Sequence, residues 1–262
     1  MNDKRRKNEL EGQTSSTGLT RARGKTSSDA PMFKVGGRLV ALDQGTTIST
    51  ERPEVDIAFV FDTTGSMLDK RDGLVLSMST FVDDLARLSL DWRTTVVPFG
   101  DLTVPGDRID GRLPFVYGIE DSKAQLKAMP QFSGGGNTGE SAIEAMDAAL
   151  AKQWRPRAVK VIVLLTDDYA LGADQRADEI LGRLLSSETL CFTAGLDTPY
   201  YRSWSERSGG KWVPIGVRMD TSAILTLFRR LVRDIAETAS NVHRLGRGSV
   251  RKYLELTRGK DT

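Results

Sequence analysis

Two apolar runs constrain this chain more than any other feature of its sequence: VDIAFVF at 55–61 and AVKVIVLL at 158–165. Neither keeps the polar and apolar alternation of a half-exposed strand. Each therefore reads as a strand buried on both faces, as happens when helices cover a parallel sheet. Both runs break off at an acid, Asp62 in DTTGSM and Asp167 in TDD. Polar residues at the tip of a buried strand point to a site at the strand end.

The stretches between and after these runs alternate in the same way. Leu68, Val75, Met78, Phe81, Val82, Leu85 and Leu88 fall near helical spacing and predict an amphipathic helix over about 66–89. RTTVVPF is the next strand, with Pro98 placing its end at an edge or a bulge. RLPFVYG suggests a short edge strand and DSKAQLKAM a short helix. SGGGNTGES is a loop opening a helix over about 139–153. After the run ending at Asp167 come a helix near 173–186, the strand TLCFTAGL, a short helix, the strand KWVPIG and a helix near 221–239. Strands separated by helices of this length imply an α/β fold with a mostly parallel sheet, doubly wound by helices on both faces.

The flanks differ in composition. Residues 1–30 are rich in Ser, Thr, Gly, Lys and Arg and hold two leucines, too little apolar surface to offset the entropy of ordering. They read as a disordered basic tail. Residues 31–52 hold MFKVGGRLVAL, two β-prone runs around Gly36 and Gly37, which predicts a short β-hairpin and a linker. The main domain occupies 53–240. Residues 241–262 are basic and broken by glycine, and read as a flexible or weakly helical C-terminal tail.

Charge and cysteine content exclude several classes. The 37 Lys and Arg against 35 Asp and Glu leave a net charge of +2, so no whole-molecule field draws the chain to nucleic acid or an anionic membrane. Nucleic acid would have to be gripped by the basic tails, non-specifically and with steep salt dependence. The single cysteine, Cys191, excludes an internal disulfide framework and suits a reducing compartment. No stretch approaches the roughly 18 apolar residues of a membrane span, and the N-terminus has no apolar signal core. The expected location is cytoplasmic.

In an open α/β sheet, ligands bind beyond the carboxyl ends of the strands. Asp62 and Asp167 both close strands and so face one rim. The triple glycine of SGGGNTGES lets a third segment turn tightly and present Asn137 and Thr138 there. Asp62, Thr64, Ser66, Thr138 and Asp167 together supply two carboxylates and three hydroxyls. A hard cation such as Mg²⁺ wants about six oxygens, with one or two carboxylates and several waters. The set is short of six, leaving room for water or an incoming carboxylate. Each residue also has a structural reading. Ser66 with Asp69 matches an S-x-x-D capping box, Thr138 could be a helix N-cap, and Asp167 or Asp168 could satisfy a turn.

DTTGSM after an apolar strand, GGGNTGES opening a helix, and WRPRAVKVIVLLTDD closing a later strand resemble, in order and spacing, the von Willebrand factor A (vWA) domain with its metal-ion-dependent adhesion site. The likeness covers roughly 53–240. It implies a Rossmann-like fold, with the D-x-S/T-x-S loop falling on Asp62, Thr64 and Ser66. The second-loop threonine falls on Thr138 and the third-loop aspartate on Asp167. It further implies Mg²⁺ or Mn²⁺ whose open position accepts an acidic residue of a partner protein. Intracellular members are often associated with AAA+ ATPases, kinases or phosphatases in bacterial multicomponent systems.

The same opening residues also resemble the D-K-T-G-T phosphorylation loop of P-type ATPases and their haloacid-dehalogenase relatives, with Asp62 as the phosphoryl acceptor. Thr63 stands where those ATPases carry lysine, and no second acid follows two residues after Asp62. GGGNTGES lacks the Gly-Lys-Ser/Thr ending of a nucleotide-binding loop. A serine hydrolase built on Ser66 would need a histidine, and the one present, His243, falls in the expected flexible C-terminal tail, while one His with one Cys makes a poor zinc site. The expectation is a non-enzymatic, metal-dependent protein-interaction module.

Overall fold

The computed structural model describes residues 32–35, 38–41, 52–135, 139–215 and 221–258. The expected basic tail at 1–30 lies outside the described residues, as do most of the linker and the last four positions. The predicted hairpin is present as a unit of its own, β1 (Met32–Val35) pairing antiparallel with β2 (Arg38–Ala41).

The main unit is built on five strands: β3 (Glu54–Asp62), β4 (Asp91–Phe99), β5 (Val159–Leu165), β6 (Thr189–Gly195) and β7 (Trp212–Pro214). They lie in the order β4-β3-β5-β6-β7, and every pairing is parallel. Val55, Ile57, Phe59 and Phe61 of β3 enter one core, Ala58 and Val60 the other, and all six are at most 1% exposed. That double burial is why the segment shows no alternation. On the first face lie α1 (Leu68–Ala86), α2 (Ile119–Lys127), α6 (Thr221–Arg244) and α7 (Val250–Arg258). On the second lie α3 (Ala142–Leu150), α4 (Ala173–Ser186) and α5 (Pro199–Ser208). Phe81 joins the layers of the first face, meeting Phe59 edge-on at 5.3 Å and Phe228 at 6.3 Å.

Pro98 lies on β4, the edge strand, where a missing N–H donor is tolerated. RLPFVYG contributes a single antiparallel bridge, Thr94 with Val116, instead of an edge strand. The helix expected from 139 begins at Ala142, with Ser141 at its N-cap position, and Thr138, offered as a cap by the sequence, lies outside the described residues. The helix expected from Ser66 begins at Leu68 after a 3-10 turn over Gly65–Met67, with no side-chain cap. The stretch from 241, expected to be flexible or weakly helical, continues α6 to Arg244 and then forms α7, with Val242, Leu245 and Val250 buried.

One charged residue sits inside the strand pattern. Asp56 has no solvent exposure, and its carboxylate takes Arg93 Nε and Nη2 at 2.8 and 2.7 Å. Arg155 adds its backbone N–H at 2.7 Å and its Nε at 2.8 Å. Two guanidinium groups and an amide thus saturate the buried acid, the condition under which a buried charge is tolerated.

Candidate functional site

β3 has β4 on one side and β5 on the other, so the chain reverses its winding direction between β3 and β5. A crevice opens at such a switch point beyond the strand ends. Asp62 ends β3 there, and Asp167 follows β5 by two residues.

The first loop is held rigidly by its backbone. Thr63 donates its N–H to Phe99 O at 3.0 Å and accepts Phe132 N–H at 2.9 Å. Gly65 N–H reaches Ser133 O at 3.3 Å. Asp62, fully buried, accepts Thr64 N–H at 3.0 Å and Thr64 Oγ1–H at 2.6 Å on Oδ1. Its Oδ2 accepts Thr166 Oγ1–H at 2.7 Å. Thr64 Oγ1 lies 3.3 Å from Ser66 Oγ, and Ser66 Oγ donates to Asp167 Oδ1 at 2.8 Å. A continuous run of oxygens, Thr166, Asp62, Thr64, Ser66, Asp167, therefore joins two loops 104 residues apart at Asp62 and Thr166. Ser66, offered by the sequence as a cap, spends its hydroxyl on Asp167 instead.

The glycine tract does reach this rim. Gly134 has φ +77°, and a Cβ there would come within 3.1 Å of both Thr64 Cβ and Glu140 Oε1. A side chain there would press on the first loop, and the left-handed backbone favours glycine. Glu140 then pins the second loop to the third: its N–H donates to Tyr169 O at 2.8 Å and its C=O accepts Leu171 N–H at 2.9 Å. Thr138 itself lies outside the described residues, so four of the five expected donors are placed and the four converge.

Sequence reasoning missed three participants. Thr166 orients Asp62 as above. Asp101, just past β4, repeats the turn of Asp62, its Oδ1 taking Thr103 N–H at 2.8 Å and Thr103 Oγ1–H at 2.7 Å. Glu140 is 5% exposed. Asp101 Oδ2 and Glu140 Oε2 are buried with no hydrogen-bond partner. An acid immediately after a strand, as in FGDLT, was the available signal for Asp101.

Burial sets the electrostatics of this rim. Burial pushes the Asp62 carboxyl up from 3.8 to about 6, against the hydrogen bonds from Thr64 and Thr166 that hold it down, with Asp167 adding repulsion. Glu140 is pushed up to about 8, first by burial and then by the charges of Asp62, Asp101, Asp168 and Asp107. Acids desolvated together disfavour ionisation, and a cation placed among them reverses that. Among the described residues no three His, Cys, Asp or Glu side chains come together as metal ligands. The rim instead combines two carboxylates with hydroxyls, hard oxygen donors of the kind Mg²⁺ and Mn²⁺ take. Orphaned carboxylate oxygens beside that set fit a cation.

Cys191 is fully buried and its thiol is pushed up to about 12 by burial, so it offers neither a nucleophile nor a ligand. Among the described residues no helix is long and apolar enough to cross a membrane. Residues 56–207 match the family model of the von Willebrand factor type A domain. No curated protein is significantly similar to the chain.

Proposed function

Because the chain belongs to the von Willebrand factor type A domain family, we propose that its acidic rim is a divalent-cation-dependent docking site for an acidic residue of a partner protein. Domains of this family are typically protein-interaction modules. The observation carrying the reading is the hydrogen-bonded run from Thr166 through Asp62, Thr64 and Ser66 to Asp167, set among desolvated acids. Asp62, Thr64, Ser66 and Asp167 would hold Mg²⁺ or Mn²⁺, with Thr138 completing the set by resemblance. When bound, the cation supplies a Lewis-acidic position for an anionic oxygen.

The chain's own groups prepare the site. Thr166 fixes one carboxylate oxygen of Asp62 and Thr64 the other, so the acid keeps one orientation. Ser66 fixes Asp167. The backbone lock at Thr63 keeps the first loop from collapsing into the crevice. Preorganised donors of this kind lower the ordering entropy that binding must offset. This role needs no turnover, and we assign the chain no enzymatic activity. It fits a component of an intracellular multiprotein system, with AAA+ ATPases, kinases and phosphatases as the first partner classes to test.

Calorimetric titration with Mn²⁺ tests the metal. One equivalent should bind wild type, and Asp62→Ala should lose it while keeping its circular dichroism spectrum. Partner capture should then vanish in chelator, return with Mg²⁺ and fail for Asp62→Ala and Thr138→Ala. Unchanged Mn²⁺ affinity in Asp62→Ala would sink the assignment, and covalent phosphoryl label on Asp62 would support the aspartyl-phosphate alternative.

A further inference from the structure

The resemblance to vWA domains takes a threonine from the second loop, and the fold brings an acid of that loop to the same rim. Glu140 is held against the third loop by its backbone: its N–H donates to Tyr169 O at 2.8 Å, its C=O accepts Leu171 N–H at 2.9 Å, and it forms an isolated parallel bridge with Ala170. None of these ties uses the side chain. They fix where the carboxylate starts and leave its oxygens for another partner.

The surroundings of that carboxylate narrow what the partner is. Glu140 Oε1 and Thr64 Cβ each lie 3.1 Å from the point that a Cβ on Gly134 would occupy, so no more than the two legs together, about 6 Å, separates them. Thr64 is the residue whose Oγ1 donates to Asp62 Oδ1 at 2.6 Å and lies 3.3 Å from Ser66 Oγ. The acid therefore stands beside the oxygens of the first loop. Glu140 is 5% exposed, and its Oε2 is buried with no hydrogen-bond partner. The four charges acting on it most strongly are all carboxylates, with Asp62 first. Buried acids are ordinarily paired with a cation or bound to a metal, and an unsatisfied one calls for a missing partner.

We propose that Glu140 is the second loop's acidic partner of the rim cation, a carboxylate whose charge the bound dication offsets and which in turn tightens the hold on that dication. The inference rests on the reading of the rim as a cation site and adds a residue that the resemblance does not assign. The competing account is an acid that simply stays neutral in a dry niche. Glutamine has the same shape and is permanently neutral, so it imitates that state and separates the two accounts.

Calorimetric titration of the full chain with Mn²⁺, paired with urea denaturation in EDTA, tests the proposal. Glu140→Gln and Glu140→Ala should each weaken Mn²⁺ binding about tenfold or more, the level at which residues around a metal's ligands typically contribute. Glu140→Gln should be no less stable than wild type in EDTA, because the ties between the loops are made by the backbone. Asp168→Asn is the control for general charge, since Asp168 belongs to the same rim but spends its Oδ1 on Tyr169 N–H at 2.7 Å. It should leave Mn²⁺ affinity within about twofold of wild type, a change too small for a direct partner of the metal. Wild-type affinity in Glu140→Gln would overturn the proposal, as would an equal loss in Asp168→Asn. Weak Mn²⁺ binding accompanied by lost stability in EDTA would make Glu140 a structural residue and overturn it too. Failure of wild type itself to bind Mn²⁺ would instead remove the cation site on which the inference rests.

Discussion

Replacing Asp62 by asparagine should stabilise the metal-free protein while abolishing metal binding. The carboxyl is fully buried, and its displacement from 3.8 to about 6 puts the charged state about 3 kcal/mol above its value in water. An amide of the same shape removes that charge and can still accept from Thr64 on Oδ1. It loses charge-assisted strength in two short bonds, those from Thr64 and Thr166, which offsets part of the gain. The net expectation is about 1–2 kcal/mol of added stability at pH 7, read by urea denaturation in EDTA. The folded protein binds this proton more tightly than the unfolded chain does, so wild type loses stability as pH rises through about 4 to 6. The gap between the two proteins should be negligible below about pH 4 and complete above about pH 6. Added Mg²⁺ should reverse the order, because wild type gains about 2.7 kcal/mol at a hundredfold excess over Kd and the variant gains nothing. An Asp62→Asn protein less stable than wild type in EDTA at pH 7 would refute the reasoning, as would a gap that persists unchanged at pH 4.

Asp56→Ala should lose about 3–5 kcal/mol by chemical denaturation, because two partly buried guanidinium groups are left without the fully buried acid they share. Asp56→Asn should lose less. Gly134→Ala should lose about 1–2 kcal/mol from its left-handed backbone alone and should also weaken Mn²⁺ binding, since the new methyl meets Thr64 and Glu140 at 3.1 Å. Cys191 should resist a thiol reagent in the folded protein and react at once in denaturant, given its burial and a thiol pushed up to about 12.

The strands were legible because burial on two faces erases alternation, a property written into VDIAFVF and VKVIVLL themselves. Asp62, Ser66 and Asp167 were legible because each lies at or just past a strand end in an obvious pattern. Glu140 and Asp101 were not, since their importance comes from neighbours far away in sequence: β4 lying beside β3, and the glycine tract folding onto residues 169–171. The late start of α3 has the same origin. Gly139 sits at φ +120° and Glu140 spends both backbone groups on the third loop, so no helix can begin before Ser141. α7 was missed because Gly246 and Gly248 mask a nine-residue helix that forms by packing onto α6.

Parallel strands gather all their carboxyl ends at one end of a molecule and all their amino ends at the other. Here the first end collects Asp62, Asp101, Asp107, Glu140, Asp167 and Asp168, and the second collects arginines and a lysine. The net charge of +2 for the whole chain describes neither end. On the proposed function, an acidic partner approaching the metal-free protein would be repelled by the very end at which it docks. A bound dication would offset part of that charge and put a local positive centre among the acids. Its effect would therefore appear in the association rate as well as in the lifetime of the complex, with raised ionic strength speeding encounter more at the bare rim than at the loaded one.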